Sequence, residues 1–380
     1  MFLYIIIFLI PVIYSVSQGE KGAKSTKFLA VYLAFLALFV GLSDMLGGYD
    51  RYIYGEVFDR MADVTREGGN PWKGDVFSVF GTEFGYGSLN AIISFFTSNR
   101  YIFILIVTLI IYLLLYKSFK EYIEDYPMAL ILFMGLWFFF TFTYLRQVLA
   151  ATIIWFSIRY IIDRDLKRFL LVWFIAYSFH NSAILFLPVY FIVTKRIPMP
   201  LVLMGMGMIL LLGISPLPSI LFETYGRANE IRVEGRIYER DAGFRIEYLL
   251  EAITFLYLIA LQYKNLLDSK KNVILTNIAL LFCAVLLFYV KSSDGGRLSW
   301  YFLIGIVATL SRMDILERVK GYRPIVVTLC LFLFLRILTS WGILLSPYKS
   351  FLTDGFREDD YIHENFEYDQ NYDLDKFYRK

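Results

Sequence analysis

The sequence predicts an all-α, polytopic integral membrane protein with about 12 transmembrane or half-spanning helices and two long external loops. Three observations predict it. Of the 380 residues, 58% are hydrophobic, above the roughly 45–50% of a soluble domain, and the mean hydropathy is +0.57. Apolar runs of near-spanning length recur along most of the chain. Lysines and arginines collect in the gaps between them, as they do in cytoplasmic loops. A net charge of +3 is too small to attract nucleic acid. No basic run is interleaved with aromatics as a single-strand binder requires, so membrane lipid is the expected surroundings and nucleic acid is not a partner.

In chain order the apolar runs fall at 2–17, 28–46, 100–117, 127–144, 146–162, 200–214, 247–263, 272–290, 298–311 and 324–345. The first lacks a basic n-region and a small-x-small cleavage site, so it reads as a retained span rather than a signal peptide. Lys21, Lys24 and Lys27, then Lys117 and Lys120, then Arg164, Lys167 and Arg168 mark inner loops and agree on an N-terminus outside. The stretch 169–194 is too long for one untilted span and too short for two, and His180-Asn-Ser182 interrupts it with Pro188 following. As one span it puts Lys195 and Arg196 outside; as a hairpin of two half-helices it returns them inside. The later basic groups (Lys264, Lys270 and Lys271; Arg312, Arg318, Lys320 and Arg323) favour the hairpin. Broken helices at membrane depth are tolerated only where they are buried in protein or line a wet cavity, so a hairpin implies a site.

Residues 1–345 then form a single polytopic domain with external loops at 47–99 and 215–246, and 346–380 is a polar tail rich in Asp, Glu and Tyr, expected to be loosely ordered. The first loop ends in an amphipathic stretch, with Glu83, Gly87, Asn90, Ser94 and Thr97 opposite Leu89, Ile92, Ile93 and Phe96, suited to a helix lying flat in the interface. Cys283 and Cys330 sit in apolar stretches, which argues against a structural disulfide. No internal repeat is visible.

The chemistry lies in residues that are costly to keep where they are. Arg146 stands at the mouth of an apolar helix in Tyr144-Leu-Arg-Gln147, and His180 lies at membrane depth. Insertion of such a charge costs about 2.5–3.5 kcal/mol, which makes a functional role the default reading. Two histidines in all, with no HxxxH or CxxC spacing, give no metal site, and no Walker-type or GxGxxG loop is present, so no cofactor is expected. What remains is arginines, tyrosines and a few carboxylates around one histidine. Arginine holds phosphate oxygens in a bidentate fork, which suits a diphosphate-bearing substrate at the outer face. Sugar transfer from a polyprenyl diphosphate needs cations to stabilise the leaving phosphate and a base to take the acceptor's proton.

Arg146-Gln-Val-Leu-Ala150, followed by Phe179-His-Asn-Ser-Ala183, resembles the signature of the EpsG-like family of polysaccharide polymerases, relatives of the Wzy polymerases. Gly48-Tyr-Asp-Arg51 and Glu83 with its Leu-Asn stretch are similar to that family's first external loop. The resemblance spans roughly residues 40–310. It implies a plasma-membrane glycosyltransferase that joins lipid-linked repeat units at the outer face without metal, its partners being the polyprenyl-diphosphate-linked oligosaccharide and a chain-length regulator and flippase of the same pathway. By that implication Arg146 binds diphosphate, and His180 acts near the acceptor or orients the donor. The family pattern fixes no general base; Asp50 and Glu83 are the candidates. Gln147, Arg51, Arg245, Arg297, Arg336, Tyr144 and Asn181 complete the candidate substrate-binding set.

Simpler readings compete with each. Arg146 can anchor a helix end in the headgroups, and His180 can be a core histidine satisfied by Asn181 and Ser182. The arginines at 227, 232, 236, 240 and 245 alternate with Glu230, Glu234, Glu239 and Asp241 as in a solvated, salt-bridged loop, and Arg297 can pair with Asp294 in a turn. Arg336, about 12 residues or ~18 Å into the last span, either pairs with a buried carboxylate or carbonyl, or lines the cavity. A transporter or flippase for the same lipid-linked sugars would use the same arginines but needs no base and favours paired broken helices. An acyltransferase acting on glycans is a third reading, distinguished by consumption of an acyl donor.

Overall fold

The computed structural model describes residues 1–73, 75–191, 194–228, 243–266, 269–292, 295–315, 321–353, 361, 365 and 369–380. Among these the regular structure is helical, apart from one isolated antiparallel bridge between Ser43 and Ser350. Among the described residues, six helices are long and apolar enough to cross a membrane: Phe2–Gly19, Arg100–Tyr122, Leu145–Ile162, Ile246–Asn265, Lys270–Phe288 and Tyr322–Ser340. Shorter apolar helices occupy Thr26–Gly41, Tyr126–Leu136, Asn181–Phe191 and Met199–Ile214. This is the make-up of a multi-pass membrane protein. Part of the difference from the expected count comes from interrupted runs. Residues 127–144, for example, divide at Trp137 into an α-helix and the 3-10 turn Phe138–Phe142.

The chain divides into two compact units, the first comprising Met1–Phe156, Phe174–Asn181 and Arg323–Lys380. Some of its helices start where the sequence supplies side-chain caps. Asn99 accepts from the amides of Tyr101 and Ile102, and Asp125 accepts from Met128 with Pro127 in the first turn. The core is aromatic: Tyr4 packs against Phe39, Phe139 and Phe142, and Phe39 stacks on Tyr348 with ring centres 4.2 Å apart. Gly135 faces the backbone of Cys330, where a Cβ would come within 2.8 Å, so only glycine permits that helix crossing. Cys283 and Cys330 are both free and buried.

In the 47–99 loop, the Tyr49–Arg66 helix packs against the Phe84–Ser94 helix. The amphipathic stretch is inverted relative to a soluble surface helix. Glu83, Gly87, Asn90, Ser94 and Thr97 are buried, while Ile92 and Phe96 are exposed. Part of the polar face is hydrogen-bonded inside the protein, with Ser94 Oγ 2.7 Å from Thr65 Oγ1 and Asn90 Nδ2 donating to Tyr86 O at 2.8 Å.

The polar tail differs from the expectation of loose order. Residues 369–380 form a strap bonded to the loop: Lys376 and Lys349 both reach Asp44 (3.7 and 3.3 Å), and Arg379 reaches Asp59 at 3.2 Å and also pairs with Asp63. Asp59 is paired with Arg100 as well, and Tyr372 of the strap is fully buried. The charges that read as a solvated tail are complements to buried carboxylates far away in the chain. Burial works against the Asp44 charge, but Lys376, Lys349, the Met45 amide and Tyr101 outweigh it and hold the carboxyl below the usual range.

The second unit comprises Ser157–Trp173 and Ser182–Tyr322. The Lys270–Phe288 helix is its centre, packed against Leu303–Ile315, Ile246–Gln262 and Met199–Ile214. Gly305 and Gly213 make two of these crossings possible. A Cβ at Gly305 would sit 2.4 Å from Ala279 N, and one at Gly213 2.2 Å from Leu287 O. Around the break at His180, Trp173 Nε1 donates to Ala183 O at 3.0 Å. Arg164 Nη1 donates to Tyr190 O at 2.8 Å, and Phe169 and Tyr190 have ring centres 5.2 Å apart. The residues after His180 therefore run back beside the Leu166–Phe179 helix, and the segment is a hairpin. Its return limb is the 3-10 helix Asn181–Phe191.

Candidate active site

Three stretches of the first unit meet at one carboxylate. Glu83 immediately precedes the Phe84–Ser94 helix, and its backbone carbonyl accepts from the amides of Tyr86 and Gly87 at 3.0 and 3.3 Å. The side chain is buried and ion-paired through Oε2 to Nη1 of Arg146, at the start of the Leu145–Ile162 helix. Its other oxygen, Oε1, accepts the backbone N–H of Asn181 at 3.2 Å, one residue past His180. Thr82 Oγ1 then donates to Asn181 Oδ1 at 2.9 Å. A helix mouth, the 47–99 loop and the apex of the hairpin are thus tied together by a single glutamate.

Gly85 makes this approach possible. A Cβ there would fall 2.1 Å from Ser178 Oγ and 3.0 Å from Ser178 O, so the loop helix can lie on the last turn before His180 only without a side chain. Tyr54 completes the setting from the Tyr49–Arg66 helix, its ring centre 5.3 Å from the Arg146 guanidinium carbon. Burial pushes the Glu83 carboxyl above the usual glutamate range, while the Arg146 charge and the Asn181 N–H pull the other way without cancelling it. Arg146 Nε is buried with no hydrogen-bond partner among the described residues.

The structure thus brings Glu83, Arg146 and Asn181 together, with His180 half-buried at the chain break beside them. Asp50 lies on the same face of its helix as Tyr54, one turn earlier, and is half-buried. Gln147 is buried at 2% exposure, and Tyr144 packs its ring 6.4 Å from Trp341.

Arg51 and Arg336 are placed differently from the substrate-binding expectation. Arg51 is 1% exposed and donates to the carbonyls of Phe142 (2.9 Å), Val40 (3.0 Å) and Ser43 (3.0 Å). Its terminal nitrogens clamp three backbone carbonyls, a framework position, and burial pulls the guanidinium down to about 10. Arg336 is exposed on its helix, as are Phe332 and Ile325, and among the described residues it neither pairs with a buried carboxylate nor lines the Glu83 site. The reason is the helix end. It stops at Ser340 rather than near Leu345, so Arg336 lies about 6 Å from the terminus, within snorkelling reach.

Arg245 and Arg297 belong to the second unit. Arg245 caps the Ile246–Gln262 helix and donates its amide to Val290 O at 2.8 Å. Tyr248 of that helix lies against Gly295 and Gly296, where added Cβ atoms would come within 3.0 and 3.1 Å of its ring, so the turn carrying Arg297 is seated on the helix start carrying Arg245. In the same unit Ser182 Oγ is 2.8 Å from Tyr301 Oη. Arg232, Arg236, Arg240, Asp294, Arg318, Lys320 and His363 lie outside the described residues.

Sequence reasoning missed Tyr54, Thr82, Gly85 and Ser178. The signal for Tyr54 was its i+4 spacing from Asp50; nothing in the sequence pairs Gly85 with Ser178.

A family model, the EpsG family, matches residues 27–352. No curated protein and no solved structure matches the chain. The match covers most of the chain and includes every residue of the Glu83–Arg146–Asn181 constellation: the chain belongs to the EpsG family.

Proposed function

We propose that this chain is a polysaccharide polymerase, a metal-independent membrane glycosyltransferase that joins polyprenyl-diphosphate-linked oligosaccharide units at the outer face of the plasma membrane. The coarser part of this reading, an exopolysaccharide polymerase-like role, is what membership of the EpsG family suggests. The finer part is supported by one observation above all, the seating of Arg146 against a buried carboxylate and the backbone beside His180. A guanidinium there suits the diphosphate of a lipid-linked donor. A glutamate raised by burial suits proton abstraction from the acceptor hydroxyl. His180, at the hairpin apex, is assigned to orienting the acceptor. Asp50 is the second candidate base, and Glu83 is preferred because it touches the arginine. The oily hairpin offers the polyprenyl tail an apolar bed. Arg245 and Arg297, in the second unit, are assigned to phosphate or sugar contacts of that unit.

The test uses purified protein in liposomes supplied with lipid-linked repeat units. Lengthened glycan supports a polymerase, and movement of substrate across the bilayer without lengthening supports a flippase. Arg146→Ala and His180→Ala should both abolish long polymer. If both variants fold, reach the membrane and still make it, the reading fails.

A further inference from the structure

The Glu83–Arg146 pair poses a chemical conflict. Arg146 is assigned to the substrate's phosphates and Glu83 to its proton, yet each occupies the other. A carboxylate paired to a guanidinium is a poor base, and a guanidinium carrying a carboxylate has part of its fork already taken. Resting on the polymerase reading, we infer that this ion pair is a latch opened by the donor: its diphosphate takes Arg146 from Glu83 and so creates the base only when there is a sugar to transfer.

Three features of the site support the exchange. Glu83 stays in place when its ion-pair partner leaves, because Oε1 remains on the Asn181 N–H and its own backbone is fixed at the start of the Phe84–Ser94 helix. Arg146 keeps the Tyr54 ring beside it as its guanidinium turns toward the diphosphate, and has a buried Nε–H, without a partner among the described residues, to give to a phosphate oxygen. Finally, the carboxylate is buried, and Arg146 heads the influences that keep it charged. Taking that cation away, and placing phosphate negative charge nearby, both raise its affinity for a proton.

The transfer then balances. The acceptor hydroxyl gives its proton to Glu83, and its oxygen forms the new bond to the anomeric carbon. The bond from that carbon to the phosphate oxygen breaks, and its electron pair leaves on the diphosphate held by Arg146. Without donor the carboxylate is neutralised by its partner, which guards against activating water at an empty site.

Farnesyl diphosphate serves as the probe with full-length protein in detergent. Glu83→Gln keeps an acceptor for the Asn181 N–H but removes the charge that competes for Arg146. The variant should bind the probe about tenfold more tightly than the natural chain, equivalent to about 1.4 kcal/mol, while making no polymer. Unchanged or weaker binding overturns the latch, whatever happens to polymer. A second measurement needs no variant. Dicyclohexylcarbodiimide, which reacts with protonated carboxyls in apolar surroundings, should label Glu83 faster when farnesyl diphosphate is present, read by peptide mass spectrometry. No rise in labelling overturns the proposal. Failure of the polymerase reading itself is separate, since it shows as polymer made by both Arg146→Ala and His180→Ala.

Discussion

Replacing Gly85 by alanine adds one methyl group where the loop helix meets the hairpin. The new Cβ would lie 2.1 Å from Ser178 Oγ, and 3.0 Å from both Ser178 Cβ and Ser178 O. Rotating the serine hydroxyl relieves the first contact, at the expense of its 2.7 Å bond to Ile175 O. The contacts with Cβ and the carbonyl remain, so the two helices must also separate. Overpacking of this kind costs about 1–3 kcal/mol, partly offset by up to about 1 kcal/mol of helix propensity gained from Gly→Ala. Overall stability should therefore fall only slightly. The site is more sensitive, because the Asn181 N–H to Glu83 bond is already 3.2 Å long and breaks if the helices part. A displacement of about 1 Å at a reacting group can cost about 100-fold in rate. Polymer synthesis in liposomes should drop by about that factor, while the thermal unfolding midpoint in detergent moves little. Adding Ser178→Gly should recover part of the loss. Gly85→Ala that polymerises at the natural rate would refute the claim that this contact sets the Glu83 position.

Three further outcomes follow from other parts of the molecule. Asp44→Asn leaves Lys349 and Lys376 buried without their counter-ion, a loss of about 3–5 kcal/mol for a buried pair; limited proteolysis should then cleave the strap, and an intact strap would show the pairing to be dispensable. Arg336→Leu should leave polymer length unchanged on a gel, since the side chain points outward; lost polymer would return it to the site. For pH, Glu83 is raised above its ordinary 4.5, so its protonated form is favoured by folding. Its contribution is fully present below 4.5 and is lost as pH rises through the higher folded value. Thermal midpoints of the natural chain should therefore climb more than those of Glu83→Gln as pH falls from neutral toward 4.5, and parallel curves would refute the assignment.

The sequence revealed charges that were out of place more readily than it revealed what they touch. The break at His180 was legible because polar residues interrupt an apolar stretch, and Arg146 because it sits at a helix mouth. Periodicity correctly grouped Glu83, Gly87, Asn90, Ser94 and Thr97 on one face, yet it could not say whether that face meets water or protein; here it meets protein. Arg51 looked like its neighbour Asp50 in the sequence. Only the fold distinguishes a guanidinium spent on three carbonyls from one able to receive a ligand. The position of Arg336 was misjudged because an apolar run continues past the helix end at Ser340 into the separate turn Gly342–Leu345. The strap was illegible for a different reason: Lys376 and Asp44 are hundreds of residues apart, and no local pattern announces such a pairing.

The strap also sets an order of assembly. A ribosome makes the chain from its N-terminus, so Asp44 is synthesised long before Lys349 and Lys376, the lysines that neutralise it. Until those arrive, the loop that presents Tyr54 and Glu83 surrounds an uncompensated buried charge. A nascent chain is thus left with an open seam around Asp44, and the strap at 369–380 acts as the bolt that closes it.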